Sequence, residues 1–205
     1  RLQLFDLIGE LIQQLIPRYR KLAESGQIEI STTPHYHPLS PLLIDFASAS
    51  DSQPDVALPM HSQYPGGRSR VAYHLDSAIS SHEQRFHEKP SGIWPAEGAL
   101  STPMLKIMAD QHCQWSASGE GVLVNSLRAS NPHKPLLDRN HYLYRPYRVS
   151  GEAESVVCFF RDDQLSDLIG FEYARWHGRL GLDRRAAGLL LPGSDLFADG
   201  DHRQL

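Results

Sequence analysis

Apolar residues at Leu4, Leu7, Ile8, Leu11, Ile12, Leu15 and Ile16 recur at three- and four-residue spacing. That spacing predicts an amphipathic helix over residues 2–22, with Gly26 placed to stop it. From Gln27 to Thr32 the pattern turns to alternation. Ile28 and Ile30 fall on one side, Glu29 and Ser31 on the other, which is the signature of a short strand. Three prolines in Thr33-Pro34-His35-Tyr36-His37-Pro38-Leu39-Ser40-Pro41 then forbid a regular helix and make a stiff, extended loop. Residues 48–70 are rich in Ser, Asp, Pro and Gly and read as a surface excursion. Asp76 is placed to cap a helix running to His87, followed by a strand fragment at Gly92–Pro95. Ser101-Thr102-Pro103 is a helix start, with Met104, Leu105, Ile107 and Met108 on the buried face. Cys113–Ala117 and Ser155–Phe160 are the next strands. The second ends at Arg161-Asp162 and leads into a helix marked by Leu165, Leu168, Ile169, Tyr173 and Trp176. Strand, polar turn and helix recur, so the chain reads as α/β with parallel strands, as a sheet or a barrel. No strand is evident after Gly178, and both ends of the chain read as cut.

Composition narrows the class. With 205 residues, 40% apolar and 21% charged, the chain has the make-up of an ordinary soluble protein of one or two domains. Its net charge of −4 and lack of a basic run give no nucleic-acid footprint. No apolar run is long enough to span a membrane. Cys113 and Cys158 sit in apolar runs and read as two reduced, buried thiols, and the expected location is cytoplasmic.

Candidate chemistry concentrates in Pro90-Ser91-Gly92-Ile93-Trp94-Pro95-Ala96-Glu97-Gly98-Ala99-Leu100-Ser101, where a Trp precedes a Glu by three residues. Sugar chemistry uses such a pair, a ring face to stack on and a carboxylate to attack an anomeric carbon. The plain alternative for Glu97 is a solvated turn acid near a helix N-terminus. Alternation puts Ile93 and Trp94 on opposite sides, so one of them faces the pocket side. Glu29 points inward if Ile28 and Ile30 pack against helices, and a charge there must be paired or used. On an edge strand it would lie in water. His35 and His37 share a face of an extended segment and suit a sugar hydroxyl or a metal ion, with polar contacts to substrate favoured. Asp162 follows a buried strand and is an N-cap, a rim carboxylate, or both, with Arg161 as a partner for it or for Glu29. Asp167, on the following helix, reads as structural. Tyr142, Tyr144 and Tyr147 either line a groove or pack as a hairpin.

Three segments together resemble glycoside hydrolase family 57, in the amylopullulanase-like, α-glucan-active branch. They are Gly26-Gln27-Ile28-Glu29-Ile30 with the Thr-Thr-Pro-His-Tyr-His-Pro that follows; Gly92-Ile93-Trp94-Pro95-Ala96-Glu97-Gly98; and Phe159-Phe160-Arg161-Asp162-Asp163-Gln164-Leu165-Ser166-Asp167-Leu168-Ile169-Gly170-Phe171. The resemblance spans residues 1–177 and leaves 178–205 as a divergent tail. It implies part of an irregular (β/α)7 barrel and a retaining enzyme that cleaves or transfers α-glucosidic bonds of starch- or glycogen-like polymers. By the same resemblance Glu97 is the nucleophile and Glu29 a substrate-site residue. Trp94, His37, His35, Asp162 and Arg161 would position the sugar, and the acid/base Asp falls in a later strand-end motif. Asp199-Gly200-Asp201 in the tail has no apolar strand leading into it and is not assigned that role. The implied partner is an α-glucan or maltooligosaccharide, with no metal or organic cofactor. Two rivals remain open: a metal-dependent polysaccharide deacetylase-like enzyme with His35, His37 and Asp162 as ligands, and a non-catalytic glucan-binding protein.

Overall fold

A computed structural model describes residues 2–53, 55–149, 151 and 156–173. They divide into one unit up to Asp162 and another from Asp163.

The first unit opens with α1 (Leu2–Glu24), the predicted helix. Gly26, at φ +70°, ends it, and the Gln27 N–H donates back to the Leu22 carbonyl at 3.0 Å. The apolar stripe of α1, from Leu4 to Leu22, faces solvent. The short α2 (Ser40–Ile44) and α3 (Ala49–Ser52) follow. Then comes α4 (Gly67–Phe86), which starts nine residues before the expected cap at Asp76. Gly67 sets that start. A Cβ there would fall on the Leu43 backbone carbonyl, so only glycine lets α4 approach α2 this closely.

Four strands form one sheet in the order β1-β2-β4-β3. They are β1 (Gly92–Ile93), β2 (Trp115–Gly119), β3 (Tyr147–Arg148) and β4 (Val157–Arg161). The first two pairings are parallel, and β3 runs antiparallel to β4. Helix α5 (Thr102–Asp110) connects β1 to β2, with Ser101 as N-cap and Pro103 in its first turn, as predicted. After β2 come α6 (Glu120–Ser130) and α7 (Arg139–Tyr142). The expected strand at Gln27–Thr32 is reduced to a single parallel bridge between Thr32 and Ile93. The sheet is mixed and open among the described residues, not a closed barrel.

Register assigns the faces. Ile93, Ser116 and Cys158 lie in one row and are buried beneath α4 and α5, where Val71, Leu75, Met104 and Met108 complete the core. The opposite face carries Trp94, Trp115 and Phe159, each exposed or half-buried. Trp94 is therefore the residue on the open side and Ile93 the core residue. The Trp115 ring lies across Gly92 where a Cβ would otherwise stand, and meets Phe159 edge-on at 6.2 Å. Both cysteines are free and buried, and burial pushes each thiol up to about 11.

The second unit holds α8 (Asp163–Asp167) and a π turn at Leu168–Glu172, so the predicted helix forms as far as Glu172. Trp176 and the tail 178–205, with Asp199-Gly200-Asp201, lie outside the described residues.

Candidate active site

Glu97 sits in a one-turn 3-10 helix, Ala96–Gly98, directly after β1. Its backbone is left-handed, at φ 54° and ψ 17°. A non-glycine residue holds that conformation at a cost of about 1–2 kcal/mol. The surroundings impose it. The Gly98 N–H bonds the Pro95 carbonyl at 3.0 Å, and the Ser118 hydroxyl, buried at the end of β2, donates to the Gly98 carbonyl. Gly98 itself packs against Ser118 and Gly119. The turn is thus pinned to the carboxyl end of the neighbouring strand.

His37 reaches the same place from another loop. The Thr32 N–H donates to Gly92 at 3.2 Å and the Trp94 N–H donates to Thr32 at 2.7 Å, tying the two loop origins together. Tyr36 and His37 both take positive φ, 63° and 56°. The segment is therefore not extended, and His35 and His37 do not share a face as the spacing suggested. His35 stacks on Tyr36 with centroids 4.0 Å apart. His37 Nε2 lies 3.1 Å from Glu97 Oε1, with the two side chains 58% and 74% exposed. A pair so open to water contributes little to stability, but it orients the carboxylate. Among the described residues no group of three or more His, Cys, Asp or Glu is placed to hold a metal ion.

Glu29 lies on the open side of the sheet but near the start of β2, where it accepts a hydrogen bond from the Trp115 indole at 2.5 Å. It is exposed, and its setting is aromatic.

Asp162, immediately after β4, is the most constrained of the expected residues. Arg139 reaches its Oδ1 at 2.6 Å, and the Tyr144 hydroxyl donates to its Oδ2 at 2.6 Å. The same guanidinium grips both oxygens of Glu120, with Nε and Nη2 each at 2.6 Å. The Asp162 and Glu120 side chains are only 8% and 14% exposed. The two carboxylates raise the Arg139 pKa, Glu120 more than Asp162. The hydrogen bond to Asp162, then burial, raises that of Tyr144, whose hydroxyl stays a donor. Arg161 is exposed at the end of β4.

Sequence reasoning missed Glu120 and Arg139. For Glu120 there was a signal, since it follows a strand of small residues and opens a helix, the same arrangement that singled out Asp162. Arg139, paired across 19 positions, left none.

Glu97 follows β1 across a turn, while Glu120 and Asp162 directly follow β2 and β4, whose last residues Gly119 and Arg161 are register partners. Three carboxylates therefore lie beyond the carboxyl ends of three adjacent parallel strands. Parallel α/β folds carry their chemistry on that rim.

A family model described as glycosyl hydrolase family 57 matches residues 3–189, and the chain belongs to that family. Among solved structures, the α-amylase AmyC from Thermotoga maritima superimposes with a TM-score of 0.54 and 16% identity, over 82% of this chain and 26% of its own. A GH57 branching enzyme from Thermococcus kodakaraensis, in complex with glucose and additives, gives 0.52 and 16%, over 83% and 30%. The 4-α-glucanotransferase from Thermococcus litoralis gives 0.51 and 17%, over 82% and 21%. At such identity the likeness is one of fold, and the chain spans between a fifth and a third of those proteins. No curated protein sequence matches it significantly.

Proposed function

We propose that this chain carries the nucleophile side of a retaining α-glucan-active site of the amylopullulanase-like branch. One observation supports this most: Glu97 is forced into a left-handed turn at a strand's carboxyl end, exposed, and met by His37 Nε2. A strained, solvent-facing carboxylate that its neighbours over-determine is held for a ligand rather than for the core.

In this reading a Glu97 oxygen attacks the anomeric carbon, forming a C–O bond as the bond to the leaving sugar oxygen breaks. An Asp outside the described residues protonates that oxygen. Water or a sugar hydroxyl then displaces Glu97, returning its proton to the same Asp. Water gives hydrolysis; a sugar acceptor gives transfer. His37 orients Glu97, and Trp94 offers a ring face on the open side of the sheet. Glu29, His35 and Arg161 contact the substrate's polar groups, while Asp162, both of whose oxygens are engaged, shapes the rim. The substrate is an α-glucan or maltooligosaccharide.

The test is Glu97→Gln in a form of the protein that turns over α-glucan. Loss of activity by several orders of magnitude with an unchanged fold is expected; undiminished cleavage and transfer refute the assignment.

A further inference from the structure

We propose that Tyr144 is an aromatic platform for a glucosyl unit, held rigid by Asp162, Arg139 and Glu120 and flanking the Glu97 site on the same rim. The inference rests on the reading of Glu97 as the residue that attacks the sugar.

Tyr144 combines two properties that packing alone does not require. Its side chain is exposed, at 51%, yet its hydroxyl is tied to Asp162 at 2.6 Å. The other two tyrosines of the cluster behave differently. Tyr147 packs edge-on against Phe160 at 5.8 Å and donates to the Tyr142 carbonyl, and Tyr142 is half-buried.

The tether is stiff. Asp162 cannot turn without breaking its bond to Arg139, and Arg139 cannot move without releasing both oxygens of Glu120. Bonds to ionised groups are the stronger kind, and the bidentate fork fixes geometry as well as energy. An exposed ring fixed in this way loses little freedom when a ligand stacks on it, which is the condition for useful affinity from a single aromatic. A purely structural clamp accounts for Arg139, Glu120 and Asp162. It gives no reason for an apolar ring standing in water at the end of the chain of bonds.

The position fits a glucan. Strands β1 and β4 flank β2, so the strand ends that precede Glu97 and Asp162 lie two strand spacings apart, about 10 Å. The open face below them carries Trp94 and Phe159. A pyranose offers an apolar C–H face and a ring of hydroxyls. Tyr144 matches the first with its ring.

The experiment is maltotetraose binding to the 205-residue chain by calorimetry, for the wild type, Tyr144→Ala, Tyr144→Phe and Trp94→Ala, with a melting curve for each. Tyr144→Ala should weaken binding about five- to tenfold through the lost stacking contact. Tyr144→Phe should weaken it about two- to threefold, since it keeps the ring and loses the tether. If Tyr144→Ala also melts low, magnetisation transfer from the wild-type Tyr144 ring protons to the sugar decides instead, and transfer is expected. Full affinity in Tyr144→Ala, or no transfer, beside weakened binding in Trp94→Ala overturns the platform and leaves the Glu97 site standing. No binding, or binding indifferent to both Tyr144 and Trp94, overturns both.

Discussion

Arg139→Gln isolates the network that joins two strand ends. Arg139 makes three contacts of 2.6 Å, two to Glu120 and one to Asp162, and both carboxylates are largely buried. Removing one partner of a buried ion pair typically costs 3–5 kcal/mol, because the remaining charge is left desolvated. Here Arg139 is itself 30% exposed, and water can enter behind a shorter side chain. The expected loss is therefore about 2–3 kcal/mol. For a chain of this size that lowers the melting temperature by about 5–10 °C. The assay is thermal unfolding followed by circular dichroism. A second variant separates lost attraction from stranded charge. Arg139→Gln combined with Glu120→Gln and Asp162→Asn leaves no buried ion and should recover more than half of the loss. An Arg139→Gln protein within about 0.5 kcal/mol of wild type, or a triple variant no better than the single, would show that water already screens the network.

Three further outcomes follow from the geometry. Gly67→Ala drives a Cβ into the Leu43 carbonyl, which is backbone and cannot rotate away, so α4 must shift; about 3 kcal/mol should be lost in a urea titration, and a change below 1 kcal/mol would contradict the close approach. The buried thiols rise from 9.0 to about 11 in the fold, so the unfolded chain ionises first. Their contribution is intact below pH 9 and lost between pH 9 and 11, about 2–3 kcal/mol per thiol, and Cys158→Ala should remove its share of that slope in alkaline unfolding. His37→Ala frees Glu97 without touching the core and should lower turnover about tenfold or more while the melting temperature moves by less than about 2 °C; equal loss of both would make the histidine structural.

Local chemistry explains what could be read from the sequence. The start of α5, the strands β2 and β4, the buried methionines and the buried thiols each follow from residues within a few positions, where caps, prolines and apolar runs act directly. The parity of Ile93 and Trp94 was also legible as an alternation, and register then decided its sense. What escaped depends on partners far along the chain. Gly67 is a poor helix former, and α4 begins there because α2 lies against it. Asp76, which has the chemistry of a cap, is an ordinary surface residue of that helix. The histidine pair looked extended, but two successive left-handed residues turn His37 toward Glu97 and leave His35 stacked on Tyr36. The segment from Gln27 alternates like a strand, yet only Thr32 finds a bridge. At the site, the Trp–Glu pairing and the family resemblance singled out Trp94 and Glu97 and strand-end logic Asp162, whereas the Arg139 network required the fold.

The most direct test of the nucleophile assignment uses a donor that needs no acid. With α-maltosyl fluoride the leaving fluoride departs without a proton, so attack by Glu97 needs no acid, and rapid acid quenching traps the adduct. Peptide mass spectrometry after incubation should find a maltosyl unit on the peptide containing Glu97, and none on Glu97→Gln. No adduct, or one carried by Glu120 or Asp162 instead, would contradict the account.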